Sequence, residues 1–502
     1  MAVMSFLCVL CRSPLGASSG IHTCRNAPAE ATEYPDVGGV RVMLPGASAV
    51  LAASLSRLSA EREMFDARAD SPPVLQAASP EETGRKFRVA RETEDGNLAV
   101  LERHCQPIGD YLGEERTILS GLSGAVAVQL VGSSVSWVLP YCFQDWGGTP
   151  AFAAARERLV GAATKYAQER GAVAVLGCAA GGLAHALAGH FDRSFGVDLS
   201  VPALLLAKHL LDGGDLDLSV HTEHHVLSMS PKLTVHGAKT PASNVSLVAA
   251  DVADLPFADE SLSCVVTQYV MGVIPDAGRV IAEINRVLRP GGIWIDYGPP
   301  YKLAADPAYF RGRTEADVPA LLEGFGFSTL ESRTLRADYA QVTPHSPLAD
   351  AEPVPLRSEM RQVHPVIYSV GRRERALPRD PVVAAFGKYF AGDPEPVCAL
   401  TPMRNADEPM VCLLGSEMNG NASRVRSVFG FGPRRFNPLS PSVTNPPMLA
   451  SLLHGCLQRM NGADTVGEIA EELYLESSGM LTERDIVLSL RLLRNQGFLD
   501  LA

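Results

Sequence analysis

Between residues 172 and 200 the chain alternates in a way that few folds accommodate. Ala172-Val173-Ala174-Val175-Leu176 is an uninterrupted apolar run ending in Gly177-Cys178-Ala179-Ala180-Gly181-Gly182, and a later segment ends in Gly196-Val197-Asp198-Leu199-Ser200. A short apolar run bounded by glycine reads as a strand buried on both faces. Small residues after such a strand let the backbone approach a nucleotide-like ligand closely, and they equally suit a tightly packed turn. A carboxylate at the end of the next strand, about 20 residues on, can accept hydrogen bonds from both hydroxyls of a ribose.

The pattern continues on both sides. Residues 151–170 read as an amphipathic helix, 183–188, 202–211 and 277–288 as further helices, and 245–249, 263–267 and 292–296 as further strands. Strand alternating with helix predicts an α/β fold with a Rossmann-like parallel sheet covered by helices on both faces. At about 150 residues per domain, 502 residues suggest roughly three domains. Composition places the expected borders. Residues 1–46 form a small cysteine-bearing module. Residues 47–146 are an extension of helix and strand, with Leu51, Leu55 and Leu58 at helical spacing and a break at Ser71-Pro72-Pro73. The α/β domain takes 147–374, an irregular linker rich in Pro, Gly, Asn and Arg takes 375–445, and a helical domain takes 446–502.

Charge and apolar content remove several classes of function. With 44 basic against 56 acidic side chains the net charge is −12, a poor match to a phosphate backbone, so no nucleic acid is expected as a partner. A third reading, a DNA-associated regulator, requires salt-sensitive DNA binding despite that charge. Ten cysteines are too few for a disulfide scaffold of this length. Residues 118–144 carry no charge, yet their glycines and serines, and the alternation in Gly124-Ala125-Val126-Ala127-Val128, read as buried strands rather than a membrane helix. The start of the chain lacks the basic region of a targeting signal. The expectation is a cytoplasmic protein with no membrane partner.

Further motifs follow in order: Ala250-Asp251-Val252-Ala253-Asp254-Leu255-Pro256-Phe257 after the third strand, Gln268 at the end of the fourth, and Val287-Leu288-Arg289-Pro290-Gly291-Gly292 before the fifth. Together with the glycine turn and Asp198, these resemble the class I S-adenosylmethionine (SAM) methyltransferases across residues 151–372. The resemblance implies that Gly177 and Gly181 line the methionine part of SAM, with Asp198 on the ribose, Asp251 by the adenine and Gln268 near the donor. Cys178 and Val252 complete the implied cofactor-binding set. A retired methyltransferase fold that no longer binds SAM is the competing reading.

Gly291-Gly292-Ile293-Trp294-Ile295-Asp296-Tyr297-Gly298-Pro299, the upstream Asp145-Trp146, the insertion at 213–244, and a tail with Tyr339, Ser358-Glu359-Met360 and Val366-Ile367-Tyr368-Ser369-Val370 look like the N2227 or carnosine N-methyltransferase-like family. The chain departs from that family at four places. Its middle glycine is Ala179 here, the arginine after its last glycine is Gly182, its peptide-contacting acid falls at Gly272, and a histidine falls at Lys302. SAM binding is compatible with these changes, whereas carnosine as substrate does not follow.

Methyl transfer from a sulfonium is an in-line displacement, so the protein supplies mainly alignment and a dry pocket. A neutral imidazole or amine nitrogen needs no strong base, whereas a hydroxyl does. The expected activity is therefore N-methylation of a small molecule or peptide. Tyr269, Tyr301, Tyr339 and His364 are the candidate catalytic groups, each of which also suits a packed aromatic or a surface histidine. The alternative from another class is a non-catalytic peptide-binding scaffold. The insertion holds His221, His224, His225 and His236; the first three have the three- or four-residue spacing of one helical face, but no cysteine or paired carboxylate completes a metal shell, and a polar lid or surface loop is expected there.

At the start, Cys8-x2-Cys11 followed by Cys24 has three-quarters of a zinc-ribbon spacing, with Ala27 at the fourth position. Tyr34-Pro35-Asp36-Val37-Gly38-Gly39-Val40-Arg41-Val42-Met43-Leu44-Pro45 is similar to the strand after the ribbon in Trm112-like modules. Either a metal-free ribbon or a zinc site of three thiolates with His22 fits. At the end, Thr465 and Glu468 have the spacing of a helix capping box, and Thr482 with Asp485 repeats it. This region looks like a winged-helix module similar to PqqD-type peptide-binding domains. Residues 453–502 hold eight acids and four arginines, which disfavours DNA binding. Peptide recognition and a plain helical cap are both open.

Overall fold

The computed structural model describes residues 6–18, 20–24, 33–44, 47–69, 92–93, 95–113, 138–147, 150–219, 222–224, 227–229, 232–274, 277–299, 315–338, 363–390, 395–400, 402–404, 463–476, and Glu483, Ile486, Val487, Leu490, Arg491, Arg494 and Leu499–Leu501. The first strands are β1 (Gly16–Ser18), β2 (Ile21–Thr23), β3 (Glu33–Val37) and β4 (Val40–Val42). Helices α1 (Ala47–Ala69), α2 (Gln106–Leu112), α3 (Leu139–Trp146) and α4 (Pro150–Tyr166) lead to the central unit. That unit runs β5 (Ala172–Leu176), α5 (Gly182–Ala188), β6 (Arg193–Asp198) and α6 (Val201–Leu211). The insertion adds β7 (Leu216–Ser219), β8 (Thr222–His224), β9 (Leu227–Met229) and β10 (Lys232–Val235). Then come β11 (Val245–Ala249), β12 (Leu262–Gln268), α7 (Ala277–Val287), β13 (Leu288–Gly298), α8 (Val318–Gly324), β14 (Phe327–Asp338) and β15 (Val363–Arg373).

One sheet takes the order β1-β2-β3-β4-β11-β6-β5-β12-β13-β15-β14. From β4 to β13 neighbouring strands are parallel, and β15 enters antiparallel between β13 and β14. All five side chains of β5 are buried, which is why that run is wholly apolar. Alternation along the strand sends Ala174 and Leu176 to one core, with Phe195, Val197, Trp294 and the α7 residues Val280, Ile281 and Ile284. Val173 and Val175 face the other, with Val266, Ile295 and Leu159, Leu183, Leu187 and Leu204 from the helices opposite. The expected Rossmann-like sheet with helices on both faces is therefore present.

Three regions differ from the sequence reading. Residues 1–46 do not stand apart, because β4 pairs in parallel with β11 and extends the main sheet through the β3–β4 hairpin. That hairpin turns on Gly38 and Gly39 at φ 58° and 80°, the left-handed pair a two-residue turn requires. The uncharged stretch ends in a helix, α3, rather than a strand, and its residues 118–137 lie outside the described ones. Among the described residues no helix is long and apolar enough to cross a membrane.

The region read as an irregular linker holds α9 (Pro381–Phe390), α10 (Glu395–Cys398) and β16 (Pro402–Arg404), while 405–445 lie outside the described residues. Asp380 Oδ1 accepts the Val382 N–H at 2.9 Å, and Val382, Ala385 and Phe386 bury one helical stripe in the core. At the far end α11 (Val466–Glu476) carries the expected capping box. Glu468 N–H donates to Thr465 Oγ1 at 3.3 Å, and Thr465 N–H donates to Glu468 Oε2 at 2.8 Å. The last strand, β17 (Leu499–Leu501), pairs with β16.

Candidate functional site

Chain order along the sheet reverses at β5, with β6 on one side and β12 on the other. In such sheets the crevice outside the carboxyl ends of the strands at that point is the place for a ligand. Here it is walled by the turn after β5. Gly177, Ala179 and Gly181 all have left-handed backbones, at φ 67°, 44° and 78°. Alanine is strained there by about 1 kcal/mol. Its N–H donates to Asp198 Oδ2 at 2.9 Å, so the departure from glycine at Ala179 leaves the turn in place.

Asp198 ends β6 partly exposed, and its other oxygen accepts the Ser200 N–H at 3.0 Å. Ser200 caps α6 through the Ala203 N–H, so strand end, acid and helix start are tied together. Asp251 follows β11, also partly exposed, with Oδ1 accepting the Ala253 N–H at 3.0 Å. Gln268 ends β12, partly buried. The structure thus gathers Gly177, Gly181, Asp198, Asp251 and Gln268 along one sheet edge. Cys178 and Val252 are buried. The Cys178 sulfur lies under the turn against Gly196, where a Cβ would come within 2.9 Å of it. Burial pushes that thiol up, so any part Cys178 takes in the crevice is through its backbone.

The Asp145-Trp146 element clasps the same turn from behind. Asp145 Oδ2 accepts the Gly182 N–H at 3.1 Å, and Trp146 Nε1 donates to Ala180 O at 2.8 Å. A Cβ on Gly182 would stand 2.8 Å from both Asp145 Cβ and its backbone oxygen. Gly182 is therefore a consequence of Asp145, and the missing side chain at 182 was the sequence signal for this contact. Burial pushes the Asp145 carboxyl up to about 7, against the pull of the Gly182 N–H and Arg156.

Tyr269 sits just past β12 with a left-handed φ of 56°, held by its N–H to Tyr297 O at 2.8 Å. Its ring meets Tyr297 edge-on at 5.5 Å and Phe152 at 6.3 Å. Next to it Val270 packs on the glycine turn so closely that a Cβ on Gly177 would touch it at 2.8 Å. Of the other candidates, Tyr301, Tyr339 and Lys302 lie outside the described residues. His364 is on β15, whose Ile367 pairs with Gly298, so its backbone is at the crevice edge of the sheet; its side chain lies outside the description. Gly272 is exposed beside Pro299. Of the insertion histidines, His221 and His225 lie outside the described residues, as does the His224 side chain, and His236 is an exposed partner of Asp215 at 3.1 Å.

A second cluster lies in the N-terminal module. The sulfurs of Cys8, Cys11 and Cys24 are all within 4.8 Å of one another, with Cys11 and Cys24 at 3.2 Å. His22, one of the possible fourth ligands, is not part of the group. Tyr34 Oη instead lies 3.2 Å from Cys8 Sγ. The hydrogen bond between the two thiols of the Cys-x2-Cys turn pushes Cys8 up and Cys11 down to about 5.

This topology and crevice define a class I methyltransferase fold. Residues 174–295 match the family described as a methyltransferase domain, and the chain carries a class I SAM-dependent methyltransferase domain there. Over 114 residues the chain is 32% identical to an arsenite methyltransferase of Halobacterium salinarum, covering 20% of this chain and 29% of that protein. Over 66 residues it is 41% identical to a ubiquinone/menaquinone biosynthesis C-methyltransferase of Desulfotalea psychrophila, covering 12% and 27%. The chain spans less than a third of the length of either relative. Among solved structures, the N-methyltransferase NodS of Bradyrhizobium japonicum in complex with S-adenosyl-L-homocysteine aligns at 15% identity with a TM-score of 0.30, over 45% of this chain and 90% of that one.

Proposed function

We propose that this protein is a SAM-dependent methyltransferase that transfers a methyl group to an imidazole or amine nitrogen of a small molecule or peptide. The observation that carries the reading is Asp198, a strand-end carboxylate facing a left-handed turn and steadied by the Ala179 and Ser200 N–H groups. A carboxylate has about four acceptor positions, and one at the end of this strand can accept from the hydroxyls of a ribose. Gly177 and Gly181 bring bare backbone to the crevice, and Asp251 offers a second partly exposed carboxylate beyond β11. The residues fit SAM, which when bound supplies a methyl group already activated on a sulfonium. The protein's part is to orient the donor and to exclude water.

Tyr269, Phe152 and Tyr297 support a nitrogen acceptor, because aromatic faces attract a cationic or methylated amine. Tyr301, Tyr339 and His364 remain candidate acceptor-side groups by resemblance to the N2227 family. At the N-terminus we read Cys8, Cys11 and Cys24 as a three-thiolate zinc site in a Trm112-like ribbon, supported by the convergence of the sulfurs. The C-terminal segment is read as a PqqD-like module with a peptide partner, and the protein as cytoplasmic.

Calorimetric titration of the full chain with SAM tests the central reading, followed by methylation assays on imidazole and amine acceptors. Micromolar binding with turnover on a nitrogen acceptor is expected. Absence of SAM binding would leave a retired fold serving as a peptide-binding scaffold, and binding without turnover on any nitrogen would redirect the chemistry to another acceptor atom.

A further inference from the structure

The thiol cluster and the C-terminal segment meet at one buried guanidinium. Val9 and Leu10 are the residues between Cys8 and Cys11. The turn they form is tight: Cys8 N–H donates to Ser13 O at 2.9 Å, Arg12 N–H donates to Cys8 O at 2.8 Å, and Arg12 closes it with a left-handed φ of 61°. Such a knuckle points its two middle carbonyls away from the sulfurs. Arg491, 4% exposed, takes both: Nη2 donates to Val9 O at 2.7 Å and Nη1 to Leu10 O at 3.1 Å. Nη2 also donates to Asp254 Oδ1 at 2.8 Å, and Arg12 reaches the same oxygen at 3.1 Å from the other side of the knuckle.

The contact is electrostatic as well as geometric. Three thiolates around one divalent cation carry a net charge of −1, which a buried guanidinium offsets. Sulfurs at the zinc–sulfur bond length of about 2.3 Å stand about 3.8 Å apart in a tetrahedral site, the spacing scale of this cluster. Around Arg491 the helical residues Ile486, Val487 and Leu490 are fully buried in the core that holds Cys8 and Leu10, and the guanidinium lies 5.8 Å from the Phe386 ring.

We infer that Arg491 latches the C-terminal segment carrying Ile486, Val487 and Leu490 onto the Cys8–Cys11 knuckle, so that metal occupancy of the three cysteines and seating of that segment are thermodynamically linked. The inference rests on the zinc reading above. Zinc stiffens the knuckle and fixes the two carbonyls that the arginine holds, and the seated arginine returns a favourable charge to the thiolates. By reciprocity each event strengthens the other by the same factor. The metal site would then report on, and hold, the end of the chain some 480 residues away in sequence.

The test uses the reduced, chelator-stripped full chain. Cd2+ is titrated while thiolate-to-metal absorption is followed, and amide exchange of the peptide spanning 483–501 is measured with and without Zn2+. Saturation at one ion per chain, with about tenfold slower exchange of that peptide in zinc, is expected. Cys24→Ser should abolish the absorption. Arg491→Met should weaken Cd2+ binding about tenfold and remove the zinc-dependent protection. No metal binding by the wild-type chain sinks the zinc reading itself. Metal binding with unchanged exchange at 483–501 overturns the latch while leaving the zinc reading standing. Because that readout is made on the wild-type protein, it decides the matter even where Arg491→Met fails to fold.

Discussion

Asp145 and Gly182 occupy one another's space: the carboxylate accepts the glycine N–H at 3.1 Å, and a Cβ on the glycine would stand 2.8 Å from the aspartate backbone oxygen. A helix that precedes the central sheet is thereby fastened to the glycine turn that faces the ligand crevice. Gly182→Ala should push that helix off the turn, destabilise the fold by about 1–3 kcal/mol and weaken SAM binding. Gly189→Ala, at an exposed helix end with only one contact at 3.8 Å, is the matched control and should change neither. Thermal melts with calorimetry of both variants check this; equal behaviour would show that the clasp does not matter.

In the proposed reading Asp198 is both ligand group and turn support. Asp198→Ala removes two expected charged hydrogen bonds to the ribose, at about 1.5–3 kcal/mol each, and should weaken SAM binding by a hundredfold or more. Asp198→Asn keeps one oxygen and should fall between. Since the Ala179 N–H also loses its acceptor, a melt belongs beside each titration.

The stability contributed by two buried carboxylates should decline with pH across the slightly acid range, while the lowered Cys11 thiol works in the opposite sense above about 5. Burial pushes Asp145 and Asp296 up to about 7 in the folded chain, whereas unfolded carboxylates titrate near about 4. Between those values the folded state binds more protons than the unfolded one, so stability is fully present below about 4 and is lost as pH rises to about 7. Glu283, pushed up by burial but pulled below its ordinary value by Arg12 and Arg286, contributes in the opposite sense only at lower pH. Asp296 accepts from Thr267 Oγ1 at 2.7 Å, while its buried second oxygen has no hydrogen-bond partner among the described residues. Asp296→Asn keeps the first contact without a charge, and should flatten the melting midpoint between pH 5 and pH 7.

Tyr269 separates two chemistries. If its hydroxyl removes a proton from the acceptor, Tyr269→Phe should cost about 10²–10⁴ in kcat. The nitrogen reading expects kcat within a few-fold of wild type, because a neutral amine needs no base. Tyr269→Ala should raise KM for the acceptor, since it deletes the ring that meets Phe152 and Tyr297. A large kcat loss in the Phe variant would point to a hydroxyl acceptor.

Much of the central domain was legible because its signals are local. The five buried residues of β5, the glycines after them, the acid ending β6 and the Thr465–Glu468 box each fix a conformation within a few residues. The same reasoning failed at α9, where Pro- and Gly-rich surroundings masked the apolar stripe of Val382, Ala385 and Phe386 that the core buries. It left His22 open as a fourth ligand, and the ring lies outside the sulfur cluster.

By itself the sequence determined the strands, the turn after the first of them and the carboxylates at their ends, since backbone preference and side-chain period act at short range. Only the tertiary structure decided that β4 continues the sheet beside β11, that Asp145 fills the space at Gly182, and that Arg491 closes on the carbonyls of Val9 and Leu10. These contacts pair groups far apart in the chain, and buried polar groups find partners wherever the packed core brings them, which no local pattern encodes.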